Sequence, residues 1–251
     1  MDPADRKQRH ISAKMQPLPE HSDADGFSYA GMVEEEICES IYSAILDQRL
    51  LPGTKLTEAA LCEAFNTGRQ RIRRVLLVLS SREVIHLHAN RGAFVAEPSA
   101  EEAHAIFEAR STIEPTIIRK VCRYSTKDDI NRLSLLVKAE QRERANGNRH
   151  KAIQLSGDFH ILLASMARNQ VFERILKQLV ARTSLIIGLY GKRDHIHCAE
   201  DEHESLVTAI TKRDEDTASE LMLNHLRHIE NEIDLKRRSK AEVDLNKIFR
   251  G

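Results

Sequence analysis

Three histidines occupy positions from which a metal site could be built. His160 in DFHILLASMARN shares a helical face with Leu163, Ala164 and Ala167. His203 in DEHESLVTAI shares one with Leu206, Val207 and Ile210, and His225 in LMLNHLRHIE with Leu221, Met222 and Ile229. Spacing by threes and fours turns each imidazole towards a core. Imidazoles converging from three helices hold first-row divalent ions such as zinc, nickel or manganese. Taken singly, each also fits an ordinary core histidine with one satisfied hydrogen bond.

A second group of residues is cationic. In GRQRIRRVLLVL, residues Gly68 to Leu79, Ile72, Val75, Leu76 and Leu79 fall on one apolar stripe. Gln70, Arg73 and Arg74 point away from it, and Arg69 and Arg71 flank the N-terminal end. A DNA-reading helix needs this layout: arginines enter the major groove and bond guanine edges or clamp phosphates, while the rear face packs on the domain. A solvated arginine face is the plainer reading of such a helix in isolation. Context favours the first, because a short helix and a turn precede it and a hairpin tipped by Asn90-Arg91-Gly92 follows. Arg91 could enter a minor groove there, and Gly92 permits close approach.

A third set suits an anionic small molecule. The Arg110 guanidinium matches a carboxylate bidentately, against the alternative of an intrahelical salt bridge to Glu114. Arg182, Thr183 and Ser184, leading into the apolar LIIGLY run, either line the same cavity or leave Arg182 as a surface cation beside a core segment.

These groups imply a mainly α protein. Residues 1–30 are polar and aperiodic and read as a flexible arm. Residues 31–97 read as a winged helix-turn-helix: a helix broken by Pro52-Gly53, a short helix capped by Thr57, the basic helix, then the hairpin VIHLH…AFVAE. Residues 98–237 read as an all-α antiparallel bundle. Its first helix is capped by Ser99, with Pro115 as a candidate bend, and further helices span about 126–146, 149–167, 170–190, 199–212 and 215–236. Residues 238–251 form a charged tail that extends the last helix or frays.

The whole chain narrows the function classes. Its 251 residues carry 38 Lys+Arg and 38 Asp+Glu, so no global charge marks a nucleic-acid partner. The basic charge is local: six arginines against Glu83 alone between Asn66 and Arg91. The cysteines Cys38, Cys62, Cys122 and Cys198 form no CxxC pair, which argues against a zinc finger or a disulfide scaffold. Without a signal-like or membrane-length apolar run, a soluble cytoplasmic protein with no membrane partner is expected. No Ser/His/Asp or Cys/His arrangement stands out, so an enzyme is not expected.

Residues 33–96 resemble the GntR family of bacterial transcription regulators. Leu50-Leu51-Pro52-Gly53, Leu56-Thr57-Glu58 and Leu61 match that family's approach to the turn. Its recognition segment usually reads S-R-T-P-V-R-E-A-L; the segment from Gly68 to Leu76 keeps the two arginines that the resemblance makes DNA contacts, Arg69 and Arg73. It departs at Gly68, Gln70, Arg71 and Arg74, and Gly68 gives up a side-chain cap worth about 1 kcal/mol.

The helical half resembles the FadR-like subfamily's ligand-sensing FCD domain, through Arg110-Ser111-Thr112-Ile113-Glu114 and the three histidines. That resemblance implies a metal on His160, His203 and His225, and a fourth ligand, an Asp, where this chain has Ser156. Asp158 lies about 200° round the helix from His160. Cys198 and Asp201 are alternative replacement ligands. A three-histidine site completed by water or an effector carboxylate remains open, as does a polar pocket without metal.

The expected protein is therefore a homodimeric repressor of a palindromic double-stranded DNA operator, controlled by a small organic acid near Arg110, Ser156, Arg182 and the histidines. The alternatives are a metal-stabilised regulator without an effector and a metal-dependent hydrolase fused to a DNA-binding domain.

Overall fold

The computed structural model of the chain describes residues 31–192, 202–234 and 243–250. The arm at 1–30, Cys198 and Asp201 lie outside them. The winged half contains α1 (Gly31–Leu46), β1 (Lys55–Leu56), α2 (Glu58–Ala64), α3 (Arg69–Ser81), β2 (Ile85–His88) and β3 (Gly92–Val95). The Thr57 hydroxyl caps α2 by accepting from the Ala60 N–H at 3.3 Å. Gly68 caps α3 with backbone alone. Ile72, Val75, Leu76 and Leu79 are buried, whereas Arg69, Gln70, Arg73 and Arg74 are exposed. The sheet has three antiparallel strands in the order β1-β3-β2, with His88 paired to Gly92 across the hairpin. The two-residue β1 was not expected, because a strand this short carries no period-2 signal.

The bundle consists of α4 (Ala100–Tyr124), α5 (Lys127–Ala145), α6 (Arg149–Met166), α7 (Gln170–Tyr190), α8 (Glu202–Thr211) and α9 (Glu215–Asn231). α4 is capped by Ser99 and runs unbroken through Pro115. Thr126 and Asp129 form a capping box on α5, and the side chains of Asn169 and Asp214 cap α7 and α9. α9 stops at Asn231, short of the expected 236, and Gly191 bridges to Ile233 beyond it.

The tail departs from expectation. A short α10 (Leu245–Arg250) packs back on the winged half, with Phe249 against Phe65 at 4.7 Å between ring centroids. Leu245 is buried in the core there. Arg49 Nη1 also donates to the Ile248 carbonyl at 3.0 Å. Val243, Ile248 and Phe249 pack with Leu245 against this core, and α10 lies against α2.

Two apolar clusters fill the interior. One lies wholly within the bundle, around Ile118, Phe159, Leu206 and Met222. The other crosses the expected boundary near residue 97, joining Ile41, Ile45, Ile72 and Leu79 to Ile106, Ile186 and Leu189. α1 and α7 meet closely where Gly188 faces Leu46; a Cβ on Gly188 would come within 2.9 Å of the Leu46 Cα. The winged half is thus seated directly on the bundle.

Candidate functional site

The basic helix presents Arg73 and Arg74 already engaged by acids of its own half. Arg73 Nε donates to Glu58 at 2.9 and 3.1 Å. Arg74 donates to Glu34 from Nε at 2.8 Å and from Nη2 at 2.5 Å. Arg71 bonds the Thr67 hydroxyl at 3.1 Å, and its Nε stands 3.9 Å from the same Glu34. Arg91 is exposed at the wing tip above the Phe94 ring, beside Gly92, whose φ of 94° suits glycine. All seven sequence-nominated residues therefore fall on exposed or half-exposed positions of α3 and the wing.

The three histidines come together. Their ligand atoms all lie within 4.8 Å of one another. His225 Nε2 is 3.2 Å from both His203 Nε2 and His160 Nε2. Each ring is oriented from behind by a carboxylate on Nδ1: Glu114 for His160 at 2.6 Å, Glu140 for His203 at 2.7 Å and Glu202 for His225 at 2.7 Å. A carboxylate accepts, so it selects the tautomer with the proton on Nδ1 and leaves a bare lone pair on Nε2. Three such lone pairs facing each other have nothing to share unless a cation lies between them.

The donor set fits a divalent ion. Metal–nitrogen bonds of about 2.0–2.1 Å place two tetrahedral ligand atoms roughly 3.3 Å apart, near the observed separation. A carboxylate behind each imidazole is the usual support of a ligating histidine. Burial pushes His160 down to about 3, against the raising influence of Glu114, and His225 down to about 4, against that of Glu202. Both imidazoles are thus neutral at physiological pH, as ligation requires. Burial also pushes the Glu114 carboxyl up, but Arg110 and His160 outweigh it and hold Glu114 well below the usual range.

A cavity opens beside His160. Ser156, one turn before His160, lines it together with Arg110, Thr183 and Ser184. Asp158 is exposed and turned away, as its helical angle requires. Arg110 is 2% exposed and makes the intrahelical salt bridge to Glu114. Its Nε donates to Glu114 at 2.5 Å, while Nη2 is buried without a hydrogen-bond partner.

Arg182 requires a correction, since it is not in this cavity. The α7 residues lining it are Val180, Thr183, Ser184 and Ile187, one helical stripe, and Arg182 lies off that stripe. It instead bridges the two halves, with Nε 2.8 Å from Glu83 and Nη2 2.5 Å from Glu102.

Sequence reasoning missed Glu140, Glu202 and Arg149. Glu140 follows Leu133 and Val137 on the buried stripe of α5, and an acid on an apolar stripe was the available signal. Arg149 likewise shares a stripe with Ala152, Ile153 and His160.

Comparison with known proteins agrees with this geometry. The family model described as "Bacterial regulatory proteins, gntR family" matches residues 33–95, and the FCD domain model matches residues 105–228. The HTH-type transcriptional repressor RspR of Escherichia coli (strain K12) is 24% identical over 200 residues, covering 78% of this chain and 87% of RspR. The HTH-type transcriptional repressor NanR of Escherichia coli (strain K12 / DH10B) is 27% identical over 222 residues, covering 79% of this chain and 81% of NanR. Among solved structures, a GntR transcriptional regulator from Rhodococcus sp. RHA1 shares the fold with a TM-score of 0.66 at 18% identity, over 79% of this chain and 95% of that one. E. coli McbR/YncC does so with a TM-score of 0.61 at 16% identity, over 78% and 94%. A winged helix seated on a helical bundle thus has its counterpart in sequence and in fold: the chain belongs to the GntR family of DNA-binding transcription regulators, in the FadR-like subfamily that carries an FCD domain.

Proposed function

We propose that the protein is a homodimeric repressor whose grip on a palindromic operator is controlled by a small organic acid bound in the FCD domain. Arg69, Gln70, Arg71, Arg73 and Arg74 face the major groove, and Arg91 and Gly92 the minor groove. His160, His203 and His225 hold zinc, nickel or manganese. When bound, such an ion supplies a Lewis-acidic position for a carboxylate oxygen. Arg110 donates to that carboxylate through Nη2, and Ser156 leaves room where the family pattern has a fourth protein ligand.

The observation that carries this reading is the cluster of three convergent, bare Nε2 atoms, one of them on His160, which lines the same cavity as the orphaned Arg110 guanidinium N–H. The names of RspR and NanR, both repressors, support the sign of regulation. A two-fold operator calls for a two-fold protein.

The test joins metal analysis of the purified protein to operator binding. The expected result is one divalent ion per chain, loss of melting temperature on chelation, and weaker operator binding when carboxylic acids are added. If chelation melts the bundle but no acid changes operator binding, the metal is structural and the effector reading fails.

A further inference from the structure

The cavity extends beyond what a single carboxylate occupies. The α6 residues lining it recur at three- and four-residue steps from Arg149 to His160. At 1.5 Å per residue that wall is about 16 Å long. One end holds His160 and Arg110. The other holds Arg149 and Lys192 together with Glu232, whose carboxylate pairs with Lys192 at 3.1 Å, and the stretch between is largely apolar, with Ile153, Val180 and Ile187. Cationic side chains therefore stand at both ends of one elongated space.

Arg149 has a second connection. It is 8% exposed, and its Nε donates to the carbonyl of Leu46, the last residue of α1, at 2.9 Å. Its Nη2 donates to Ile187 at 2.8 Å and contacts the Gly191 carbonyl at 3.4 Å. The same Gly191 carbonyl accepts from Gln48 Nε2 at 2.6 Å. The adjacent His150 bonds Asp47 through its backbone N–H and its ring. The far wall of the cavity is thus the seat of the first helix of the DNA-binding half.

Resting on the acid-effector reading above, we propose that the effector is an elongated dianion. Its first carboxylate lies at the histidine–Arg110 end. Its second anionic group, across a short aliphatic or hydroxylated chain, is received by Arg149 and by Lys192, which exchanges Glu232 for it. The second group draws the Arg149 guanidinium away from the Leu46 carbonyl, because a carboxylate is a stronger acceptor than a neutral carbonyl. The end of α1 loses that partner, and ligand binding is read in the winged half through this exchange.

The experiment uses the full-length, metal-loaded protein with succinate, glutarate and adipate against butyrate, valerate and hexanoate. Binding is followed by calorimetry and operator affinity by fluorescence anisotropy. The preferred dicarboxylate is expected to bind about tenfold or more tightly than the monocarboxylate of equal length, and to weaken operator binding more. Arg149→Gln should narrow that ratio to about twofold, while Arg149→Lys should retain most of it. Should Arg149→Gln fail to fold, Lys192→Gln is expected to narrow the ratio in the same direction. Equal affinity for both classes, or a preference that survives loss of these cations, overturns the dianion proposal alone. If neither class binds, the acid-effector reading falls, and this proposal with it.

Discussion

Arg73 in α3 and Arg110 in α4 are both paired with a glutamate, yet the two pairs serve opposite ends. The Arg73–Glu58 pair lies in water, with side chains 63% and 36% exposed. The Arg110–Glu114 pair is sealed, at 2% and 1%. An exposed pair contributes little to stability and opens at small cost. On the proposed reading, Glu58 is therefore a placeholder that a DNA phosphate or guanine displaces. A buried pair cannot be opened without stranding a charge. Glu114 is a fixed part that holds Arg110 on one oxygen and His160 on the other, and so sets where both point.

The largest expected effect comes from breaking the buried side of this contrast. Glu114→Ala strands the Arg110 guanidinium and removes the support of His160. It should cost about 3–5 kcal/mol in urea unfolding of the metal-free protein. Metal affinity should fall roughly tenfold to a hundredfold as His160 loses its orientation. A loss no greater than that of a surface substitution would mean that water enters the centre and that the two pairs are alike.

Acid probes the same difference next. Metal-free His160 and His225 have folded values of about 3 and about 4, below the free value of 6.5. As pH falls through 6.5 the unfolded chain takes up these protons first, so stability drops from there towards pH 4. Below the free carboxylate value near 4.5, Glu114, Glu140 and Glu202 act in the same direction, since each is held low by its histidine or arginine partners despite burial. Melting curves of chelated protein at pH 7.5, 6 and 5 should fall in that order. Metal at a hundred times its dissociation constant should add about 2.7 kcal/mol at pH 7.5. A flat profile between pH 7.5 and 5 would contradict buried, neutral histidines.

This contrast also explains what could be read from the sequence. The stripe Ile72–Val75–Leu76–Leu79 and the arginines opposite it are a local pattern, and the structure places both as expected. The histidines share stripes with apolar neighbours, so their inward direction was legible. Their carboxylate partners were not, because Glu114, Glu140 and Glu202 meet them only through long-range packing across α4, α5 and α8. Arg182 was misplaced for the same reason: its sequence neighbours Thr183 and Ser184 do line the cavity, but one residue on a helix is a turn of 100°. The α10 return to α2 depends on a contact between Phe65 and Phe249 that no local pattern announces.

On the exposed side, Arg73→Ala should weaken operator binding about tenfold to a hundredfold, the range of one lost bidentate arginine contact. The melting temperature should stay unchanged, since the arginine makes only a surface pair. A parallel loss of folding would show that the surface pair is structural after all and erase the distinction from Arg110.

The smallest effect sharpens the comparison most. Glu34 accepts from Arg74 and stands 3.9 Å from Arg71, so one acid restrains the two arginines by which this recognition helix departs from the family pattern. If Glu34 is a placeholder, Glu34→Gln releases both side chains towards the backbone phosphates. Operator affinity at low salt should then rise by about twofold to fivefold, and the log–log salt slope should steepen by about one as one more phosphate is neutralised. If Glu34 instead aims Arg74 at a base, affinity falls, the slope stays constant, and discrimination against mutated operators relaxes. Affinity and slope measured together separate a displaced acid from an orienting one, which is the distinction already drawn between Glu58 and Glu114.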